Sequence, residues 1–156
     1  MMTNSSSPVK KYKCVFFDLD HTLWDYETNS QDTLFELYHG YDLPSMGVPS
    51  FDDFQMQFKK VNADLWYRYD RGLIDSEVIR SERFKKILEP FQAYNDKLND
   101  DLSRDYLHIC PKKGNLMPYT IEVLDYLIQQ YKLTIITNGF EDIQHQKVSA
   151  GKLDTY

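Results

Sequence analysis

Residues 14–25, read C-V-F-F-D-L-D-H-T-L-W-D, restrict the fold more than any other stretch. Cys14, Val15, Phe16 and Phe17 have the length and β-favouring composition of a buried strand, predicted over Lys13 to Phe17, and the run stops at two carboxylates two positions apart. In open α/β sheets, ligands bind in the crevice beyond the carboxyl ends of the strands, so Asp18 and Asp20 are placed for chemistry and not for packing. Two like charges this close are costly without a cation. A hard, oxygen-seeking ion such as Mg²⁺ relieves the repulsion, because it uses one or two carboxylates, waters and phosphate oxygens. The competing reading is a pair of Asp side chains capping the turn after a strand, where Asp is common.

Beyond the carboxylates the hydrophobic period changes to that of helices. Leu34, Leu37, Tyr38 and Tyr41 mark one apolar face that closes near Gly40. Ser50 as N-cap, Asp52 and Asp53 in the first turn, and Phe54, Phe58, Val61, Leu65 and Tyr69 at helical spacing predict the longest helix, closed by Gly72. Two further helices are expected, one from near Asp75 to a disturbance at Pro90, the other through Leu98, Leu102, Tyr106 and Ile109 to Pro111. Pro118 opens another, with the stripe Leu124, Leu127, Ile128 and Tyr131, and L-T-I-I at 133–136 is a second candidate for a buried strand. Strand, helical excursion, helix, strand is a βαβ unit with an insertion. The expected organisation is an unstructured polar tail over 1–10, a core made of 11–25 and 111–156, and an all-helical lid over 26–110.

The second predicted strand runs into Thr137, Asn138 and Gly139, followed by F-E-D-I-Q-H-Q-K-V with helix-forming character. A hydroxyl at a strand terminus, a glycine that admits close backbone approach and the amides of a helix start make a place for a phosphate oxygen. The formal net charge of −6 argues against a nucleic-acid polymer or an anionic membrane as partner, yet leaves room for a small phosphate ester held by a local metal. No apolar run approaches the ~20 residues of a membrane span, and the first ten residues lack the apolar segment of a signal peptide, so a cytoplasmic protein is expected. Cys14 and Cys110 have no metal or disulfide spacing and read as free thiols. His21 reads as a polar turn residue, while His39, His108 and His145 are scattered without ligand spacing. Trp24, Trp66, Tyr67 and Tyr69 suit a helical core more readily than stacking on a base.

A hydrophobic strand running into D-x-D-x-T-L, with Thr137 ending a second apolar strand, resembles the first and second motifs of the haloacid dehalogenase-like (HAD) hydrolases, most of which are Mg²⁺-dependent phosphatases. The resemblance implies an α/β fold with a partial Rossmann-like core and an inserted α-helical cap. It implies Asp18 as nucleophile, and Asp20 as the general acid that protonates the leaving oxygen and then activates water. Asp18 and Asp20 would hold Mg²⁺, while Thr137, Asn138 and Gly139 would grip the phosphoryl group. The extension H-T-L-W-D-Y-E-T-N-S looks like the bacterial branch that removes phosphate from pyrimidine nucleoside monophosphates, so a small phosphorylated metabolite is the implied partner. The family carries a third motif, a lysine, and a fourth, an acidic pair, well beyond the second. Lys147 and Lys152 fall too early for the third, and Lys147 is read as solvated helix surface. The closing G-K-L-D-T-Y looks like the lead-in to a third strand. The expectation is therefore a chain cut within a longer protein, with little activity from these 156 residues alone. The alternative class is a noncatalytic, acidic helical interaction module with an inherited strand-end motif.

Overall fold

The computed structural model describes residues 12–156, so the predicted tail over 1–10 lies outside the described residues. Strand β1 spans Cys14–Phe17 and is followed by helices α1 (Tyr26–Gly40), α2 (Phe51–Asp70), α3 (Ser76–Leu88), α4 (Asp96–Ile109) and α5 (Thr120–Ile128). Strand β2 (Lys132–Ile135) and helix α6 (Glu141–Ala150) complete the order, with single 3₁₀ turns between several elements. Side-chain caps set the helix starts: Asp25, Ser50, Asp75 and Asn95 accept from the amides of Thr28, Asp53, Val78 and Leu98 at 2.8–3.1 Å. No helix of the described residues is long and apolar enough to cross a membrane.

Helices α1 to α4 pack around a shared apolar centre. Phe54, Phe58, Val61 and Leu65 of α2 are buried, as are Ile79, Phe84, Ile87 and Leu88 of α3 and Leu98, Leu102 and Tyr106 of α4. Each fully buried Phe or Leu contributes about 1.5–3 kcal/mol relative to an exposed one, so this centre supplies much of the stability of the helical block. Phe58 and Tyr106 approach to 5.1 Å between ring centroids, and Phe54 lies 6.4 Å from Phe84. Asn99, buried on α4, donates to the carbonyl of Ser81 and accepts from the amide of Lys85, two groups one turn apart on α3, and so splices the two helices.

β1 and β2 pair in parallel, Cys14 opposite Lys132 and Phe17 opposite Ile135. The two strands are not buried as expected. Phe17, Leu133 and Ile135 lean on the core, while Phe16 and Ile136 are 60% and 57% exposed, because a two-stranded sheet with one covered face sends alternate side chains outward. The fifth helix also differs. Tyr119 has φ 66°, which no helical residue adopts, so α5 starts at Thr120 and not at Pro118. Of its expected stripe only Leu124 is buried, and Ile128 is exposed.

The chain passes between the strand pair and the helical block twice, side by side. The amide of Asp25 donates to the carbonyl of Asn115 at 3.0 Å and that of Met117 to Leu23 at 2.9 Å. Asn29 and Asn115 bond reciprocally, and the buried Trp24 donates its indole N–H to the carbonyl of Lys113. These bonds fix the helical block against the strand ends.

Candidate functional site

A tight turn sets the two carboxylates. The carbonyl of Leu19 accepts from the amides of Leu23 and Trp24, both at 2.9 Å, which drives the Leu19 side chain into the core and leaves Asp18 and Asp20 on the cavity side. His21 closes the turn at φ 62°, its amide donating to the carbonyl of Trp24. Asp18 is exposed and Asp20 half-buried.

Parallel pairing carries β2 to the same place. The amide of Ile136 donates to the carbonyl of Phe17 at 2.8 Å, so Thr137 stands beside the first carboxylate. The Thr137 hydroxyl accepts from the amide of Gly139 at 3.2 Å and from Gln144 Nε2 at 2.6 Å, and the same Gln144 nitrogen reaches Asp20 Oδ2 at 3.0 Å. Gln144 thus bridges the two strand-end motifs. A Cβ on residue 139 would stand 2.1 Å from Gln144 Nε2, so glycine there lets the bridging side chain pass.

Lys147 is not the solvated surface residue expected. It is 7% exposed, and its Nζ lies 2.7 and 2.9 Å from the two oxygens of Asp20 and 4.7 Å from the Trp24 ring. Phe140, Gln144 and Lys147 share one face of the helix start at i, i+4 and i+7, and because α6 follows the strand end directly, that face meets the carboxylates. Lys152 is exposed beyond the helix. The signal for Gln144 and Lys147 was their spacing from Phe140, since hydropathy does not separate an inward lysine from a solvated one.

Asp18, Asp20, Thr137, Asn138 and Gly139 line one cavity of about 690 Å³, a size typical of small-molecule sites. Tyr26, Asn62, Trp66, Arg83 and Tyr106 of the helical block line its other side. Trp66 stacks on Phe140 at 5.4 Å and 24°, Tyr69 meets the same ring edge-on at 5.8 Å, and Arg80 lies 4.7 Å over it while pairing with Asp142 at 3.0 Å. The helices therefore clasp the loop after β2. Trp24 is core, and Tyr67 is exposed under Arg71.

Deeper in the cavity wall, Asn62 Nδ2 donates to the Tyr26 hydroxyl at 3.1 Å, which lies 3.4 Å from that of Tyr106, itself 2.9 Å from Ser30 Oγ. Burial pushes both phenols above their ordinary range, and the Arg83 cation opposes the rise. Burial likewise raises the Cys110 thiol.

Among the described residues, no three of His, Cys, Asp and Glu gather to hold a metal. The donor chemistry nonetheless fits Mg²⁺, which takes one or two carboxylates and completes its shell with water and phosphate oxygens. Asp18 offers an exposed carboxylate to it, and the Asp20 carboxylate is bonded to Lys147 and Gln144.

A parallel strand pair, a helical insertion directly after an acidic strand end and a cavity between them define a capped α/β fold. The model of the haloacid dehalogenase-like hydrolases matches residues 12–154, and the chain belongs to that family. It is 28% identical over 146 residues to the pyrimidine 5'-nucleotidase YjjG of Escherichia coli, covering 94% of this chain and 60% of the relative. It is 27% identical to the pyrimidine 5'-nucleotidase PynA of Streptococcus pneumoniae, covering 93% and 59%. The HAD-hydrolase YfnB of Bacillus subtilis is 24% identical over 90% of this chain and 57% of its own length. The magnesium-bound crystal structure of YfnB superposes with a TM-score of 0.81 at 24% identity, over 92% of this chain and 61% of that one. A dehalogenase structure superposes at 0.59 with 22% identity, over 94% and 60%, and at such identities both likenesses speak for the fold. The chain spans about three fifths of the length of these relatives.

Proposed function

We propose that this chain carries the phosphoryl-transfer site of a Mg²⁺-dependent phosphatase that cleaves a small cytoplasmic phosphate monoester, a nucleoside 5'-monophosphate, through an aspartyl-phosphate. The observation that carries the reading is the meeting of Asp18, Asp20 and Thr137 on one cavity wall, the last two joined by Gln144. Similarity to two pyrimidine 5'-nucleotidases supports the choice of substrate.

Asp18, exposed at the strand end, attacks phosphorus in line and forms the acyl phosphate while the ester oxygen leaves. Asp20 gives that oxygen its proton and recovers one from the water that cleaves the intermediate. Thr137 and the amides of Asn138 and Gly139 hold phosphate oxygens at the start of α6. Asp18, through its carboxylate, and Asp20, through its backbone carbonyl, would hold Mg²⁺, which would supply neutralisation of the charge between carboxylate and phosphate. For Asp20 to carry a proton, its ion pair with Lys147 opens, and an incoming phosphate offers the ammonium another anion. Closing of the helical cap over the strand ends would exclude bulk water from the reacting atoms.

Two measurements test this. The phosphoryl analogue beryllium fluoride, titrated with Mg²⁺, is expected to bind the wild-type chain and not Asp18→Asn. Absence of Mg²⁺-dependent binding to either protein would favour the noncatalytic interaction module. Phosphate release across nucleoside monophosphates, triphosphates and sugar phosphates, measured on a chain extended to the length of the relatives, is expected to favour monophosphates, and a clear preference for sugar phosphates sinks the nucleotidase reading.

A further inference from the structure

The helical block holds a cation that phosphoryl chemistry does not use. Arg83 of α3 is 5% exposed and lines the cavity, its guanidinium 5.2 Å from the ring centroid of Tyr106 and 5.9 Å from that of Phe58. Its Nε has no hydrogen-bond partner, and among the described residues no carboxylate pairs with it. Burying a guanidinium with no carboxylate partner is costly, since its Nε is shut off from water without a hydrogen bond and it does not lose its charge. Across the Tyr26–Tyr106 hydroxyl pair stands Asn62 of α2, which lines the same cavity. Its Nδ2 is bound to Tyr26, but its Oδ1 is buried and without a partner. The wall thus carries an unused donor on Arg83 and an unused acceptor on Asn62, both beside the tyrosine pair.

The ligand chemistry follows from that combination. A carboxylate or second phosphate would satisfy Arg83 and leave Asn62 Oδ1 facing another acceptor. A carbonyl oxygen adjacent to an N–H satisfies both, and the imide edge of uracil or thymine presents that pair on a flat, neutral ring. We infer that Arg83 and Asn62 form a base-reading site, in which the guanidinium donates to a ring carbonyl and Asn62 Oδ1 accepts from the ring N–H. This rests on the nucleotide reading of the site and names the residues that select the base. The cavity of about 690 Å³ has room for phosphate at the strand ends and a base against the helices.

Three probes titrated calorimetrically into the full chain test the assignment: uridine 5'-monophosphate, ribose 5-phosphate and N3-methyluridine 5'-monophosphate. The first two share sugar and phosphate, and the third lacks only the N–H. Wild type is expected to bind uridine 5'-monophosphate roughly tenfold or more tightly than either of the others, because a buried acceptor left unpaired rejects the analogue that lacks its donor. Arg83→Lys and Asn62→Ala should each reduce the preference over ribose 5-phosphate to about threefold or less, with ribose 5-phosphate affinity unchanged. Wild type binding the methylated nucleotide as tightly as the parent overturns the assignment without any variant, so a variant that folds poorly does not shelter it. Preference retained in both variants also overturns it and leaves the nucleotide reading standing. Equal affinity of wild type for uridine 5'-monophosphate and ribose 5-phosphate, or no binding of either, removes both readings.

Discussion

The Lys147 ammonium and the Asp20 carboxylate hold each other at 2.7 and 2.9 Å, the lysine side chain 8% and the aspartate side chain 26% exposed. Such a pair adds little net stability against an apolar replacement, but removal of one partner strands the other. Lys147→Met leaves Asp20 with Gln144 alone. Because Asp20 keeps some contact with water, the expected loss is about 1–3 kcal/mol, below the 3–5 typical of a fully buried pair. Urea unfolding at constant slope measures it, and Lys147→Met/Asp20→Asn should recover part of the loss. A single variant as stable as wild type would show that the pair contributes nothing. Asp18, Asp20 and Thr137 were legible in the sequence because each ends an apolar run, a signal carried by a few adjacent residues. Lys147, Arg83 and Asn62 were not, since each lies on a helix whose polar positions look alike until a neighbouring element covers one of them.

Tyr41, just past the end of α1, donates its hydroxyl to Asp105 Oδ2 of α4 at 2.6 Å and so joins the first and last helices of the block. Burial first, and the Asp105 hydrogen bond second, push the Tyr41 phenol up to about 12. An unfolded tyrosine loses its proton near ~10. Between about 10 and 12 the unfolded chain has therefore released a proton that the folded one keeps, so stability falls as pH rises through that window and the full contribution is present below it. Tyr41→Phe is expected to flatten the fall in unfolding temperature across this range, and a variant that loses stability in parallel with wild type would exclude Tyr41 as its source. The helices of this block were readable because their stripes and caps are local, as Ser50 with Phe54, Phe58 and Leu65 illustrates. The fifth helix was misjudged because its neighbours are few: a stripe predicts burial only where another element stands to receive it, and Ile128 stays 36% exposed.

Parallel sheets occur almost only with both faces covered, and unpaired strand edges are templates for another chain. Here Phe16 and Ile136 project from the uncovered face of the strand pair, and Ile121, Val123 and Tyr126 of α5 are exposed as well. The helical block also exposes single apolar side chains, among them Phe35, Met56 and Tyr67, but its interior is closed by residues of α1 to α4 that pack on each other. The molecule therefore divides in its behaviour. Helices α2 to α4, whose contacts are local in sequence, should protect their amides from hydrogen exchange, while the β1 and β2 amides exchange faster. The exposed apolar side should also draw chains together at micromolar concentration, measured as a sedimentation coefficient that rises with loading. Val123→Lys with Tyr126→Lys places two charges on α5 away from the cavity, and this variant is expected to sediment as a monomer with an unchanged far-ultraviolet spectrum. Association equal to that of wild type would show that the α5 surface plays no part in it, leaving the strand edges as the contact to be tested by charged substitution at Thr134, which stands beside Phe16 in the register.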